Sequence, residues 1–349
     1  MTICVNTTYC EALASAQSIG MDRDDSVFLM GIGIHDEGAI FGSLDGIVEK
    51  FGKERCIDTP ICEDTMTGVA IGAALMGMRP IHIHIRVDFM LLATNQIINT
   101  MSNLKATSNG QLDVPIVIRA VIGRGWGQGC QHSKSMISTY AHVPGLKVVA
   151  PSNPYDAKGM MLHALEEDSP TIILEHRWLY WQTQKIPEGH YTVPFGKARI
   201  IREGKDISII AISWMNIEAK QAAELAERKH GVSVEILDLR SITPLDRNSI
   251  IETTAKTGKV IIADCDWIDY GVSAEVAACI VETLSLGSIQ VSRVGYKHCP
   301  CPTARHMENY FYPNAIDLYH EIERLMGLEH KEVNKSQLYS HENKFKGPL

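Results

Sequence analysis

Glu63 lies between an apolar run and a helix of small residues, a position suited to proton chemistry. The apolar run ends at Asp58-Thr59-Pro60, and the helical pattern begins just after Glu63. Asp64 or Thr65 is the predicted N-cap of that helix. A lone acid at the mouth of a pocket is a candidate for proton transfer. The alternative is an ordinary surface glutamate beside a tightly packed helix pair.

The helix after Glu63 carries very small residues along one face, at Gly68, Gly72, Ala73 and Gly77. Glycine inside a helix costs about 1 kcal/mol relative to alanine, so several glycines in one helix need a reason. Close approach by another backbone or by a flat ligand supplies one. We therefore expect this face to be in contact with a second chain segment or with a ligand.

His132 is a second candidate for chemistry, because a glycine-rich segment delivers Gln131-His132-Ser133 to the predicted start of a helix. The imidazole there can give a proton or bind an anion, and a structural histidine is the alternative. Residues 123–129 supply the glycines but lack the G-x-G-x-x-G spacing of a dinucleotide loop. They also follow several strands rather than the first, so NAD binding is rejected.

Two other groups of ligand-type residues are given structural interpretations. His82 and His84 lie on one face of a predicted strand, which we interpret as a polar strand face near an interface rather than a metal site. The segment His298-Cys299-Pro300-Cys301, with His306, resembles a metal cluster. Its spacing matches no common zinc motif, so a metal there is disfavoured.

Composition bounds the class of protein. The 349 residues are 45% hydrophobic and 21% charged with a net charge of −8, which describes a globular protein with no basic footprint for nucleic acid. No apolar run reaches the roughly 20 residues that span a bilayer, and the first residues do not resemble a signal peptide. The nine scattered cysteines favour a reducing cytoplasm over a disulfide scaffold.

Apolar runs rich in β-branched residues alternate with amphipathic runs, which predicts an α/β fold with largely parallel sheets. We predict a first domain over residues 1–185, a linker over 186–198, a smaller α/β domain over 199–328 and a mobile polar tail over 329–349. Within the first domain, one helix is expected from Phe89 to Leu104, followed by a strand from Asp113 to Arg119.

The chain resembles a known family over residues 3 to 328: the β subunits of thiamine-diphosphate-dependent 2-oxoacid dehydrogenases. The motifs that carry the resemblance occur in order along both domains. They are Asp58-Thr59-Pro60-Ile61-x-Glu63, Gly68-x-Ala70-x-Gly72-Ala73-Ala74, Gln96-x-x-Asn99, Gln131-His132-Ser133, Pro144-Gly145-Leu146-Lys147-Val148-Val149, Asp156-Ala157-Lys158-Gly159, Gly196-Lys197-Ala198, Asp238-Leu239-Arg240-Ser241-Ile242-x-Pro244-Leu245-Asp246 and Tyr270-Gly271.

The resemblance implies a pyrimidine-binding domain followed by a transketolase-type C-terminal domain. Glu63 then corresponds to the acid that hydrogen-bonds the aminopyrimidine ring and favours its imino tautomer, which removes the thiazolium proton. Phe89 corresponds to the aromatic residue against the pyrimidine, and Ile61 is expected to contact the cofactor. His132 corresponds to the histidine that faces the substrate. The helix of small residues is then expected to pack across a subunit interface.

The resemblance also implies partners. The family's GDG motif for diphosphate and magnesium belongs to the α subunit, and this sequence contains no GDG. The chain alone is therefore expected to be catalytically incomplete and to assemble as an α2β2 tetramer. A lipoyl acyltransferase is a further expected partner. A potassium ion is expected on the backbone carbonyls of Ile116, Ala164 and Leu165.

Three departures from the family pattern bear on the substrate. Ile32 and Gly33 stand where the family commonly has acidic residues, so a proton path between paired active sites would lose a member. Residues 64–67 after Glu63 differ from the usual Gly- and Phe-containing version. The segments 125–128 and 175–180 are also unusual, and in the second of them Arg177 adds a cation that could read an anionic or sugar-like substrate.

Three functions are compatible with the sequence. The first is decarboxylation of a 2-oxoacid with transfer of the acyl unit to a lipoyl carrier. The second keeps the cofactor but transfers acyl or ketol units between small molecules, as split transketolases and biosynthetic synthases do. The third is a scaffold subunit without catalysis, against which the joint presence of Glu63, Phe89 and His132 argues.

Overall fold

The computed structural model describes residues 3–123, 127–285, 287, 289–334 and 338. These residues form two compact units. The first comprises residues 3–123 and 134–195, and the second comprises residues 127–133 and 196–334. The segment that carries His132 therefore belongs with the second unit, although it lies in the sequence of the first.

The first unit is an α/β layer structure. Its strands are β1 Cys4–Thr8, β2 Val27–Gly31, β3 Cys56–Asp58, β4 Arg79–His84, β5 Val117–Ile122, β6 Lys147–Val149, β7 Thr171–His176 and β8 Thr183–Pro187. Its helices are α1 Tyr9–Arg23, α2 Ile47–Phe51, α3 Glu63–Leu75, α4 Val87–Met90, α5 Leu104–Thr107, α6 Ile137–Ala141 and α7 Pro154–Glu166.

The main sheet of the first unit is parallel, as the alternation of runs predicts. Its strands lie in the order β6-β7-β5-β4-β2-β3, and every neighbouring pair in that order is parallel. The middle strands are buried on both faces, which explains their continuous apolar sequence. In such a sheet, ligands bind at the carboxyl ends of the strands.

The second unit repeats the architecture. Its strands are β9 Arg199–Arg202, β10 Ile207–Ala211, β11 Val234–Asp238, β12 Ser241–Thr243, β13 Lys259–Trp267 and β14 Gln290–Tyr296, and its helices are α8 Met215–His230, α9 Arg247–Thr257, α10 Val272–Thr283, α11 Arg305–Phe311 and α12 Ala315–Met326. A sheet in the order β14-β13-β10-β11-β9 is parallel except at β9. None of the helices in the described residues is long and apolar enough to cross a bilayer.

The single helix predicted from Phe89 to Leu104 is wrong. The chain instead forms α4, a 3-10 turn at Leu91–Ala93, a π-helical stretch at Asn95–Met101 and then α5. Ser102 Oγ and Asn103 Nδ2 both donate to the carbonyl of Ile98, at 2.6 and 3.1 Å. These side chains compete with the backbone for that acceptor, and such competition interrupts regular helix.

Two predicted boundaries are also wrong. The strand expected from Asp113 begins only at Val117, because Pro115 cannot donate to a strand ladder. Helix α3 begins at Glu63 itself, with Cys62 as the N-cap residue in place of Asp64 or Thr65. Asp64 instead lies in the first turn, where a carboxylate is stabilised by the positive end of the helix.

The segment predicted as a linker is packed against the first unit. Strand β8 pairs with β1 in antiparallel register, and the Val193 N–H donates to the carbonyl of Gly159 at 3.0 Å. The contact division between the units falls between Phe195 and Gly196. The pairing of β1 with β8 had no sequence signal, because the two short strands are far apart in the chain.

Residues 329–334, which the sequence places in a mobile tail, are anchored to the second unit. The N–H of Lys331 donates to Glu323 on α12 at 2.9 Å, and its ammonium donates to the carbonyl of Lys229 on α8 at 2.7 Å. Residues 335–337 and 339–349 lie outside the described part of the chain. The mobility prediction for those residues stays a prediction.

Candidate cofactor site

The carboxyl ends of the parallel strands carry several of the predicted site residues. Glu63 follows β3, Phe89 follows β4, and Arg177 follows β7. The strand ends of one parallel sheet share an edge, so the first unit presents these three side chains from the same edge. Three strands, β2, β4 and β5, separate β3 from β7 in the sheet, so Arg177 lies far from Glu63 along that edge.

Glu63 is the first residue of α3 and only 8% exposed, so its carboxylate lies near the positive end of a helix. Two apolar side chains at the same edge of the sheet are exposed to solvent: Ile61, two residues before Glu63, is 80% exposed, and Phe89 on α4 is 36% exposed. A buried acid and exposed apolar side chains at one sheet edge suit a flat heteroaromatic ring. The carboxyl group can hydrogen-bond the ring nitrogen, and the apolar side chains can cover the ring faces.

The π-helical stretch at Asn95–Met101 packs directly on α3. Gln96 lies 3.7 Å from the position that a Cβ would take at Gly68, and its amide donates to Asp64 at 3.4 Å. The small residue at position 68 therefore allows this stretch to approach α3 closely. This contact explains the glycine at position 68 of α3.

Gly72 faces outward, whereas Ala70 and Ala74 are buried. Outside the helix backbone around Gly72, no atom of the described chain lies within 4 Å of a Cβ built there, and Val69 and Met76 on the same surface are exposed. A helix surface of small and apolar residues is suited to packing by a second backbone. The structure leaves that surface open for such a contact.

His82 and His84 are buried beneath α3. The ring of His82 lies 3.0 Å from Thr67 Oγ1 on α3, and the two imidazole rings are 4.4 Å apart in an edge-to-face arrangement. His84 Nε2 is buried without a hydrogen-bond partner among the described residues. Burial lowers the pKa of His82 to about 4 and lowers the pKa of His84 well below its ordinary value, so both rings are neutral in the folded chain.

The burial of these histidines predicts a loss of stability in mild acid. The unfolded chain protonates them near pH 6.5, whereas the folded chain resists protonation until about pH 4 for His82. The free energy of unfolding should therefore fall as the pH falls from 6.5 towards 4, by up to about 1.4 kcal/mol per pH unit for each proton. Urea midpoints at pH 7 and pH 5 measure this effect.

A His84→Gln variant should lose less stability between pH 7 and pH 5, because only one of the two histidines remains to take up a proton on unfolding. His298→Gln is the matched control, because His298 is exposed on the second unit and pairs with Asp269 at 3.2 Å. An equal slope in wild type and His84→Gln would contradict the assignment of the acid sensitivity to this pair.

His132 is held within the second unit. It ends a 3-10 turn at Gly129–Gln131, and the next residue, Ser133, is buried and accepts a hydrogen bond from the hydroxyl of Tyr312 at 3.3 Å. A Cβ at Gly129 would lie 2.7 Å from Thr303 Oγ1, so only glycine permits this close approach. His132 is half-buried, and the helix start expected there is wrong, because residues 133–136 have no regular secondary structure and α6 begins only at Ile137.

Arg177 is buried in an aromatic cage. Its guanidinium carbon lies 4.1 Å from the centre of the Phe41 ring and 4.2 Å from the centre of the Trp181 ring. Burial lowers the pKa of Arg177 to about 10, which leaves it charged at neutral pH. Nη1 has no hydrogen-bond partner among the described residues, so one donor remains available to an anion.

Arg86 is a second buried cation at this edge that sequence analysis missed. Its guanidinium donates to the carbonyl of Gly123 at 3.1 Å. Its positive charge repels that of Arg177 and contributes to the lowered pKa of Arg177. An arginine two residues after the end of the buried strand β4 was the signal that could have found it. The two arginines place two buried positive charges at this edge of the sheet.

Gly33 occupies a backbone position with φ of +68°, and its N–H donates to Asp58 Oδ1 at 2.8 Å. A Cβ at Gly33 would lie 2.8 Å from a carboxylate oxygen of Asp36. Two carboxylates therefore lie near the position where the family commonly places acids. The consequence of Ile32 and Gly33 for a proton path stays a prediction.

The three carbonyls predicted to hold potassium already accept hydrogen bonds. Ile116 accepts from the N–H of Thr171 at 2.9 Å, and Leu165 accepts from Arg79 at 3.3 Å. Ala164 accepts from the N–H of Glu167 at 3.3 Å. An ion would have to use the second lone pair of each carbonyl, and the potassium site stays a prediction.

The segment from His298 to Cys301 does not form a group of three mutually close metal-ligating side chains within the described residues. Cys301 is buried, and its Sγ lies 3.2 Å from the Tyr312 hydroxyl. The absence of a metal from this segment stays a prediction.

Both units match known protein families. Residues 6–182 match the transketolase pyrimidine-binding domain, and residues 196–318 match the transketolase C-terminal domain. A split-gene transketolase, described as an inactive β4 tetramer, has a TM-score of 0.74, covers 95% of this chain and 100% of its own, and shares 20% identity. These matches define a two-domain chain with the transketolase-like fold.

Closer relatives narrow the family. The β subunit of 2-oxoisovalerate dehydrogenase from Bacillus subtilis is 39% identical, with 88% of this chain and 94% of the relative covered. The pyruvate dehydrogenase E1 β subunit from Rickettsia felis is 36% identical over 91% and 98%. The acetoin:2,6-dichlorophenolindophenol oxidoreductase β subunit from Cupriavidus necator is 37% identical over 85% and 91%.

The chain belongs to the family of β subunits of thiamine-diphosphate-dependent 2-oxoacid dehydrogenases. It is therefore one subunit of a heteromeric enzyme that has an α partner. This confirms the resemblance, the fold class and the leading function predicted from the sequence.

Proposed function

We propose that this chain and an α subunit form an α2β2 enzyme that decarboxylates a 2-oxoacid. In this proposal, Glu63 is the acid that hydrogen-bonds the aminopyrimidine ring of the cofactor. The observation that carries the proposal is the buried carboxylate of Glu63 at the start of α3, with the exposed Ile61 two residues before it and the partly exposed Phe89 at the same edge of the sheet. Bound thiamine diphosphate would supply a nucleophilic carbon for attack on the 2-oxo group and an electron sink for loss of carbon dioxide.

Glu63 is proposed to hold a proton against a ring nitrogen of the aminopyrimidine. Its fixed position at the first residue of a helix limits its motion, which keeps the proton within hydrogen-bond distance throughout the reaction. Phe89 and Ile61 are proposed to cover the ring and exclude water from that hydrogen bond. Exclusion of water strengthens the electrostatic effect of the carboxylate.

His132 is proposed to face the substrate and to transfer a proton or bind its carboxylate. The 3-10 turn and the anchored Ser133 limit the positions that the imidazole can take. The diphosphate and magnesium are proposed to be held by the α subunit, because the chain has no GDG sequence. A lipoyl acyltransferase is the proposed acceptor partner, and potassium on the three carbonyls is a further proposal.

Arg177 is proposed to favour a substrate with an added anionic group. Its one unpartnered donor and the neighbouring charge of Arg86 give the physical basis. The burial of Arg177 means that any anion must reach it through the aromatic cage of Phe41 and Trp181.

Oxidation of acetoin with the same cofactor is the second candidate function. The 37% identity to an acetoin oxidoreductase β subunit favours it, because that relative is nearly as similar as the 2-oxoisovalerate enzyme. The two candidates share Glu63 and the cofactor and differ in the substrate. A substrate panel that includes acetoin separates them.

Assembly with the α subunit is the first consequence to test. Mixed with its cognate α subunit, the chain should form a tetramer whose mass by light scattering equals two copies of each chain. Thiamine diphosphate with magnesium should bind the tetramer and not the isolated β chain, as isothermal titration calorimetry would measure. Binding of the cofactor by the isolated chain with equal affinity would contradict the division of the site between subunits.

The outward surface of α3 provides a control for that assembly. A Gly72→Leu substitution places a bulky side chain where the isolated chain has open space, so the chain itself should fold normally. It should nevertheless block tetramer formation if this surface packs against another subunit. A normal tetramer would show that the surface is not an interface.

A further inference from the structure

The last helix of the second unit carries a cluster of ligand-type side chains that the proposed chemistry does not use. His320 and Glu323 are three residues apart on α12, so they lie on one face of the helix. Helix α12 ends at Gly327, whose φ of +65° reverses the chain and brings His330 back over that face. The ligand atoms of the three residues all lie within 4.8 Å of one another.

Glu323 is the fixed member of the cluster. It is buried, and its Oε1 accepts from the N–H of Lys331 at 2.9 Å and pairs with His230 Nε2 at 3.0 Å. Two donors therefore fix Oε1 of the carboxylate, and Oε2 is the oxygen that lies toward His330.

The two histidines are the adjustable members. His330 Nδ1 lies 3.0 Å from Glu323 Oε2, and its side chain is 60% exposed. The rings of His320 and His330 are 4.5 Å apart, with their planes inclined by 63°. Solvent therefore reaches the cluster, and the exposed ring can rotate without disturbing the core.

We propose that His320, Glu323 and His330 bind a divalent transition-metal ion, zinc foremost. Two imidazole nitrogens and one carboxylate form a donor set that suits zinc, whereas calcium and magnesium prefer oxygen alone. Tetrahedral zinc with bonds of about 2.1 Å places its ligand atoms about 3.4 Å apart, so the cluster must close slightly. Rotation of His330 supplies that movement, and water takes the fourth position.

His230 acts on the site through Glu323. It bonds both the carboxylate and the Tyr319 hydroxyl, the latter at 2.9 Å, so it fixes the direction in which Glu323 presents its oxygens. Such outer partners typically contribute about 10- to 100-fold to metal affinity. The bound ion would link the segment after Gly327 to α12 in place of the direct His330–Glu323 hydrogen bond.

Zinc titration of the full-length chain after removal of metal with a chelator tests the site. Wild type should bind one zinc ion per chain at the cluster, and cobalt at the same site should give the visible absorption of a four-coordinate ion. His330→Asn and His320→Asn should each weaken binding by more than the loss of an outer partner, about 100-fold or more. Zinc should also raise the melting temperature of wild type and not that of these two variants.

His190→Asn is the matched control, because His190 pairs with a single carboxylate, Glu166, at 2.7 Å. It should bind zinc like wild type. The exposed position of His330 makes misfolding of His330→Asn unexpected, and its circular dichroism spectrum checks this point.

Two results would overturn the proposal. Absence of zinc binding by wild type would show that the cluster is only a hydrogen-bonded anchor for the segment after α12. Unchanged affinity in both histidine variants would place the zinc elsewhere, with Cys299 and Cys301 the residues to test next. The cluster shares no residue with the proposed cofactor chemistry, so either result leaves the proposed function unaffected.

Discussion

Replacement of Glu63 by glutamine should lower kcat of the assembled enzyme by about 10²- to 10⁴-fold, the usual contribution of a positioned acid or base. Glutamine keeps the size of the side chain and its place at the first residue of α3, but it cannot exchange a proton with the cofactor. The isolated variant should fold like wild type, because the described structure shows no salt bridge to Glu63. Steady-state kinetics of the tetramer measures the effect.

Asp64→Asn is the matched control for Glu63→Gln. Asp64 is the next residue of the same helical turn, and its contact is an amide donor from Gln96 at 3.4 Å. Loss of charge at the helix start is common to both variants, whereas loss of the proposed proton transfer is confined to Glu63→Gln. Equal activity of the two variants would contradict the assignment of Glu63.

Replacement of Glu175 by glutamine should lower the free energy of unfolding of the first unit by about 3–5 kcal/mol. Glu175 and Arg119 are each 1% exposed, and Arg119 Nε donates to Glu175 Oε1 at 2.6 Å while its Nη2 donates to Oε2 at 2.8 Å. Removal of the negative charge leaves the buried guanidinium uncompensated. The cost is therefore that of an unpaired charge inside the protein.

Further hydrogen bonds hold Arg119 in place, so the guanidinium cannot find a new partner in Glu175→Gln. Arg119 also donates to Gln17 and to Ser43, each at 2.7 Å, and the Tyr180 hydroxyl donates to Glu175 at 2.6 Å. These bonds join α1, two central strands and the turn beyond Arg177 into one unit. Since every partner is fixed by the others, the guanidinium cannot turn to solvent.

Urea midpoints of Glu175→Gln and of an Asp113→Asn control measure the difference. Asp113 pairs with Lys105 at 2.7 Å on the surface, where solvent screens the pair, so that variant should unfold almost like wild type. A similar small change in both variants would show that the buried pair does not stabilise the fold as argued.

Much of the fold can be predicted from the sequence pattern, because a long run with one hydrophobic period is compatible with only one type of secondary structure. In the second unit, helix α9 runs from Arg247 to Thr257, between an Asp246 cap and Gly258. Cap and terminator residues are local signals, so they can be read without knowledge of the tertiary structure.

The elements that sequence analysis missed depend on distant partners. Strands β1 and β8 are stabilised by pairing with each other, and the π-helical stretch arises from the bonds of Ser102 and Asn103 to one carbonyl. The Arg119–Glu175 pair is equally invisible, because 56 residues separate its members. Such features are decided by tertiary contacts rather than by local propensity.

The candidate site was predictable to a different extent at each residue. The position of Glu63 at a strand-to-helix junction followed from the apolar run and the helical pattern around it. Its role came from the motif Asp58-Thr59-Pro60-Ile61-x-Glu63, since a carboxylate alone does not specify a cofactor. The grouping of His132 with the second unit had no local signal, because it depends on Thr303 and Tyr312 far along the chain.

We conclude that this chain completes a thiamine-diphosphate enzyme that acts on a 2-oxoacid. The most direct test is to assay the tetramer formed with its α subunit, with thiamine diphosphate and magnesium, on a panel of 2-oxoacids and acetoin. An artificial electron acceptor reports turnover, and Glu63→Gln is the control. We expect turnover of at least one 2-oxoacid that is lost in Glu63→Gln. Silence on every 2-oxoacid by a tetramer that binds the cofactor would contradict this conclusion, and turnover of acetoin alone would assign the chain to acetoin oxidation.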